Sequence, residues 1–182
     1  MDILSFLPVV LMVVASDSRD TYLPLMAAVI HEGGHLLFAA LLKMNISSME
    51  FSLGGALIKT DGADISAWKK AAVLLGGSGV NLICGGFLFI FGLGQGFAMA
   101  NIILGIFNLL PVKGLDGGSA LELILDNFFM PRRVYEISRI ISLMFLFAIW
   151  VFAVFLMIFS GGNITVYCVF WGLVLVNCRA FS

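Results

Sequence analysis

The sequence predicts an all-α polytopic membrane protein of about six transmembrane helices, one domain over residues 1–182, with a small membrane-associated β-hairpin. Three observations carry that expectation. Of the 182 residues, 61% are hydrophobic and 12% charged, with a mean hydropathy of +1.09. A soluble domain is usually nearer half apolar and a quarter charged, so polar surface is too scarce here to cover a water-soluble globule. The apolar residues also fall into long runs, and one stretch alone, Asn45–Ala67, concentrates turn formers and charge. A net charge of −1 provides no basic footprint, so no nucleic-acid partner is expected. Cys84, Cys168 and Cys178 lie in apolar segments without a short paired spacing, which argues against a disulfide framework or a thiolate zinc site. The N-terminus lacks a basic region, so a cleavable signal peptide is not expected.

The first apolar run, Ile3–Ala15, is short against the roughly 20 residues that cross a bilayer core, and would have to thin the bilayer. The second, Tyr22–Leu42, is long enough to cross, and Lys43 marks its interfacial end. Met49-Glu50-Phe51-Ser52-Leu53 then alternates apolar and polar residues, as a strand does. Gly54-Gly55 can supply a tight turn, and Ala56-Leu57-Ile58-Lys59-Thr60 can return. A lone hairpin is marginal in water and needs a surface to lie on. Trp68-Lys69-Lys70 anchors a third span, Ala71–Phe91, whose Gly76, Gly77, Gly79, Gly85 and Gly86 suit close helix packing in lipid. Phe97–Leu110 is a fourth apolar segment, stopped by Pro111. Ser119-Ala120-Leu121-Glu122 has capping-box spacing and predicts a short helix from Ser119 to about Phe129. A fifth span, Ile137–Phe159, and a sixth, Ile164–Asn177, complete the chain.

Charge orients these spans. With both termini in the cytoplasm, Lys43, Lys59, Lys69, Lys70, Lys113, Arg132, Arg133, Arg139 and Arg179 lie inside and Arg19 outside, as the positive-inside rule requires. A multi-pass protein of the cell membrane is expected. No internal repeat of the transporter kind is present in the sequence.

The second span carries His31-Glu32-Gly33-Gly34-His35, with the only two histidines of the chain. At i and i+4 the imidazoles project about 40° apart on one helix face and can reach one metal ion. Glu32, about 100° round the helix, is placed to hold a water rather than to ligate. In zinc hydrolases of this pattern the metal lowers the pKa of a water towards about 7, and the carboxylate takes its proton as it attacks a carbonyl. The competing reading is a structural polar cluster or a proton relay. Each ionisable side chain at a helix centre in lipid costs at least about 2.5 kcal/mol, however, and three within five residues call for a partner or an ion.

A catalytic zinc usually has three protein ligands and an open fourth position. With no further histidine, the third ligand should be a carboxylate. Asp116 qualifies, since it lies in the glycine-rich break after the fourth apolar segment and Gly117-Gly118 allow close approach. The competing role, a helix N-cap, is assigned instead to Ser119 with Glu122. Asn81 and Asn108 can hydrogen-bond between helices, or orient a substrate backbone and steady an oxyanion.

These residues resemble the site-2 protease family of intramembrane zinc metalloproteases. The resemblance rests on His31–His35, on Gly77-Ser78-Gly79-Val80-Asn81, and on Asn108-Leu109-Leu110-Pro111 followed by Leu115-Asp116-Gly117-Gly118. Ser78 and Gly114 stand where the family commonly has proline. The resemblance implies His31, His35 and Asp116 as ligands of one Zn2+ per chain, Glu32 as catalytic acid/base, and Asn81 and Asn108 near the active site. It implies a single transmembrane protease domain that cleaves transmembrane or membrane-anchored proteins near the cytoplasmic side, with the lipid bilayer and a membrane regulatory protein as further partners. The compact layout is most similar to the sporulation stage IV FB subgroup, without its CBS domain. The hairpin residues Phe51 and Leu53 would add an extended substrate as a further strand. Two other classes of function compete: an ion or metal transport protein that uses the same residues as a path, and a non-cleaving relative that binds clients.

Overall fold

The computed structural model describes residues 22–44, 49–52, 55–58, 66–159, 171 and 174. Helix α1 covers Tyr22–Leu41. Its Pro24 sits in the first turn, where a missing N–H breaks no intrahelical bond. Ala27, Ala28, His31, Gly34, His35 and Ala39 form its buried stripe, so small residues and the two histidines share one face. Lys43 closes the helix in a left-handed conformation (φ 51°). The Lys43 N–H donates to Ala40 O and the Met44 N–H to Ala39 O, both at 3.0 Å, which is a Schellman closure. Met44 is thereby turned inward, packing with Ala39 and Val73.

Strands β1 (Met49–Ser52) and β2 (Gly55–Ile58) pair antiparallel, Met49 opposite Ile58 and Phe51 opposite Ala56. Leu53 and Gly54 lie outside the described residues.

Helix α2 (Ala67–Ile90) is the centre of the bundle and packs against both α1 and α3 (Gln95–Asn108). Glycine makes this possible. A Cβ on Gly34 would stand 2.8 Å from Gly76 O, and one on Gly85 would stand 2.8 Å from Ala98 O. Without side chains at these positions the backbones reach van der Waals contact, the main source of helix association in lipid. The outer faces are apolar: Ile83 is 75% and Ile90 79% exposed.

Helix α4 covers Asp116–Leu125, with β2 running beside it, and α5 covers Pro131–Phe159. The helix expected to start at Ser119 therefore starts three residues earlier. Leu115 is extended (φ −108°, ψ 161°) and occupies the N-cap position. Both the N–H and the hydroxyl of Ser119 donate to Leu115 O, at 3.1 and 3.3 Å, so Ser119 belongs to the first turn and caps nothing. Glu122 pairs instead with Lys113 Nζ at 3.4 Å.

Among the described residues α1, α2 and α5 are long and apolar enough to cross a membrane. Helix α3 is apolar but has 14 residues, about 21 Å of rise against a hydrocarbon core of about 30 Å. The expected first span, Ile3–Ala15, lies outside the described residues, as does the expected sixth apart from Trp171 and Val174.

Candidate metal centre

His31 and His35 lie in the middle of α1, facing the first residue of α4. His31 Nε2 is 2.9 Å and His35 Nε2 3.4 Å from Asp116 Oδ2, and the two Nε2 atoms are 3.2 Å apart. The rings meet edge to face at 89°. Zinc with N and O ligands at about 2.0–2.1 Å in a tetrahedron separates its ligand atoms by about 3.3 Å. The three observed separations match that edge length.

The direction of the contacts is consistent with an ion as well. Although His31 Nε2 is within hydrogen-bond distance of Asp116 Oδ2, no aligned N–H points at that oxygen, which is buried without a hydrogen-bond donor. A buried carboxylate oxygen left so is costly unless a cation compensates it. Asp116 lies outside the three spanning helices.

Backbone groups from α2 set the histidines. His35 Nδ1 is 2.8 Å from Val73 O, which fixes the proton on Nδ1 and leaves Nε2 with its lone pair towards the ligand cluster. Gly77 lies directly behind the same ring: a Cβ there would stand 2.5 Å from His35 Nε2 and 2.8 Å from His31 O. On the Asp116 side, a Cβ on Gly117 or Gly118 would run into the carbonyls of Leu109 or Val112, so the loop before α4 folds back over its first turn. Glu32 is half-buried beside the cluster, and the neighbouring Gly33 has nothing within 4 Å of where a Cβ would stand. Glu32 thus stands next to the triad of ligand atoms, while Gly33 lies on the exposed face of α1 turned away from them.

The other expected residues are placed differently. Asn81 is fully buried on α2, and its Nδ2 donates at 3.2 Å to Ala27 O, one turn before His31 on α1. It ties the two helices together where the motif begins. Asn108, at the end of α3, donates to Leu104 O of its own helix at 3.2 Å. Phe51 lies in β1, and Leu53 falls outside the described residues. Three polar residues share the buried interior of α2 and α3, namely Ser78, Asn81 and Asn101, each with one oxygen that lacks a hydrogen-bond donor. Reading the sequence missed Asn101, whose only signal is a polar residue in an apolar run. It also missed the Val73 carbonyl, which leaves no trace in residue type.

Residues 93–149 match the sequence profile of Peptidase family M50. That segment holds α3, α4 with Asp116, and much of α5. No curated protein matches the chain by sequence. Among solved structures, the Site-2 Protease from Methanocaldococcus jannaschii aligns with 99% of this chain and 87% of its own, at 20% identity and a TM-score of 0.67. The chain has the fold of that protease.

Proposed function

We propose that the protein is an intramembrane zinc metalloprotease that cleaves transmembrane or membrane-anchored proteins near the cytoplasmic side. One observation carries this: three buried ligand atoms from two helices converge with the edge lengths of a zinc tetrahedron, and Glu32 stands beside them. The family M50 match over α3–α5 and the site-2 protease fold support the same reading. The early His-Glu motif and compact layout favour a relation to the sporulation stage IV FB subgroup. We take residues 1–182 as one transmembrane protease domain, with both termini in the cytoplasm.

His31, His35 and Asp116 would hold the metal, which supplies a Lewis acid for the scissile carbonyl and lowers the pKa of a water. Glu32 takes the proton of the attacking water and returns it to the leaving amine. An extended substrate segment adds to the β1–β2 hairpin through Phe51 and Leu53, which exposes a single peptide bond to the site. Asn81 keeps α1 in register for this chemistry, and Asn108 flanks it at the end of α3. His31 and His35 lie inside α1, which covers Tyr22–Leu41, and this puts the reaction about 9–15 Å from the end of the helix at Leu41.

The test is incubation of the full chain in proteoliposomes with a membrane-anchored candidate substrate. Wild type should cleave, chelation should stop cleavage, and zinc should restore it. Glu32→Gln should bind zinc normally and cut at least about 10³-fold more slowly, in the range of general-base losses. Cleavage that survives Glu32→Gln would overturn the mechanism, and metal flux without cleavage would favour an ion-transport protein.

A further inference from the structure

We propose that Ser142, in the middle of α5, is a positioning residue for Asp116, acting through the loop that precedes α4. The inference rests on the metal-centre reading above and assigns part of that centre to a helix that contributes no ligand. The Lys113 N–H donates to Ser142 Oγ at 3.0 Å, between residues 29 positions apart in the chain. Ser142 is 2% exposed. A serine inside a membrane helix commonly bonds a carbonyl of its own preceding turn. Here its oxygen accepts a donor from another element.

The bond sits at a point of leverage. Between α3 and α4 the chain passes through Val112, whose carbonyl accepts the Leu115 N–H at 3.0 Å, and Gly114, whose φ of 95° permits the reversal. Asp116 follows directly. One turn beyond Ser142 on the same face of α5, Leu146 packs against Val112 and Leu115. The Lys113 side chain holds the other flank, with Nζ 3.4 Å from Glu122 and 5.3 Å over the Tyr135 ring. Residues 112–115 are therefore clamped to α5 by one hydrogen bond and one apolar cluster, and the Asp116 backbone inherits its position from them. Loss of the Ser142 hydroxyl removes the acceptor that ties the part-buried Lys113 N–H to α5, and the loop is free to shift. The carboxylate of Asp116, 2.9 Å from His31 Nε2, moves with it.

The experiment uses the full chain in detergent micelles, with Zn2+ affinity read by chelator competition and ligand geometry by the Co2+ absorption spectrum. Amide exchange at Lys113 in the metal-free chain gives a readout independent of metal. Ser142→Ala should weaken Zn2+ binding about tenfold, at the lower end of the 10–100-fold losses seen when support of a metal ligand is removed. It should also alter the Co2+ spectrum and speed Lys113 exchange. Ser142→Thr, which keeps the hydroxyl, should restore all three, and Leu143→Ala, on the exposed face of α5, should change none. Wild-type affinity and spectrum in Ser142→Ala, in a chain that remains folded, would overturn the proposal alone. Failure of Ser142→Thr to restore affinity would reduce Ser142 to a packing residue and would also overturn it. A wild-type chain that takes up neither ion would overturn the metalloprotease reading and this assignment with it.

Discussion

At the scale of single residues, the candidate centre is shaped by atoms outside the candidate ligand set. Gly77 is the clearest case, because any side chain there meets the His35 ring and the His31 carbonyl together. Neither is the free end of a flexible chain, so Gly77→Ala must rotate the imidazole or push α1 away. Overpacking of this kind costs about 1–3 kcal/mol, and a ligand displaced by about 1 Å can cost 10²-fold in rate. Gly77→Ala should therefore lose at least about 100-fold in cleavage and bind zinc more weakly, while Gly79→Ala, where a Cβ meets nothing within 4 Å, should stay near wild type. Zinc titration and cleavage assays on the pair will show whether close packing behind His35 matters. Asn81 poses a different question, whether it acts on helices or on substrate. Interhelical hydrogen bonds in membranes average about 0.6 kcal/mol. If the bond to Ala27 O is its whole role, Asn81→Ala should change stability by less than about 1 kcal/mol and cleavage by less than about tenfold. A loss beyond 10²-fold with the fold intact would assign it to the substrate or the oxyanion.

At the scale of elements, α1 and α4 carry the candidate ligands while α2 and α5 hold these helices. Helix α2 contributes the Val73 carbonyl, the Gly76-Gly77 notch and Asn81, and α5 contributes Leu146 and Ser142 to the loop before Asp116. The hairpin is the one extended element among the described residues, and β2 lies beside the ligand-bearing helix α4. That arrangement favours capture of substrate as a strand. Proline removes the N–H that a strand ladder uses. Phe51→Pro and Leu53→Pro should abolish cleavage of a membrane-anchored substrate while zinc content stays at one per chain, measured by metal analysis. Unchanged cleavage would remove strand addition from the mechanism.

At the scale of the whole molecule, the proposed protease would act in the apolar interior of a helix bundle on a substrate that is itself helical. Each backbone group exposed in lipid costs several kcal/mol, so the substrate helix must be weak near the scissile bond or open only rarely. A substrate with a Gly-Pro pair at that position should be cut at least about tenfold faster than one with a continuous leucine run, read by product formation at equal surface density. Equal rates would place the limiting step elsewhere, such as product release.

The sequence by itself determined the apolar class of the chain, the histidine pair on one face of α1 and, by elimination among carboxylates, Asp116 as the third ligand candidate. These are matters of composition and of local period: residues four apart on a helix share a face wherever the helix goes. It could not set where α4 begins. Capping-box spacing pointed to Ser119, but the extended Leu115 and the fold-back of the Leu109–Val112 carbonyls start the helix at Asp116. Nor could it bring Asp116 to His31, a contact across 85 positions in the chain, because that depends on α2 packing closely enough behind α1. The Val73 carbonyl, the notch at Gly77 and the reach of Ser142 to Lys113 were likewise decided by tertiary structure alone. Their chemistry resides in backbone atoms and long-range distances, and neither is written in residue type or period.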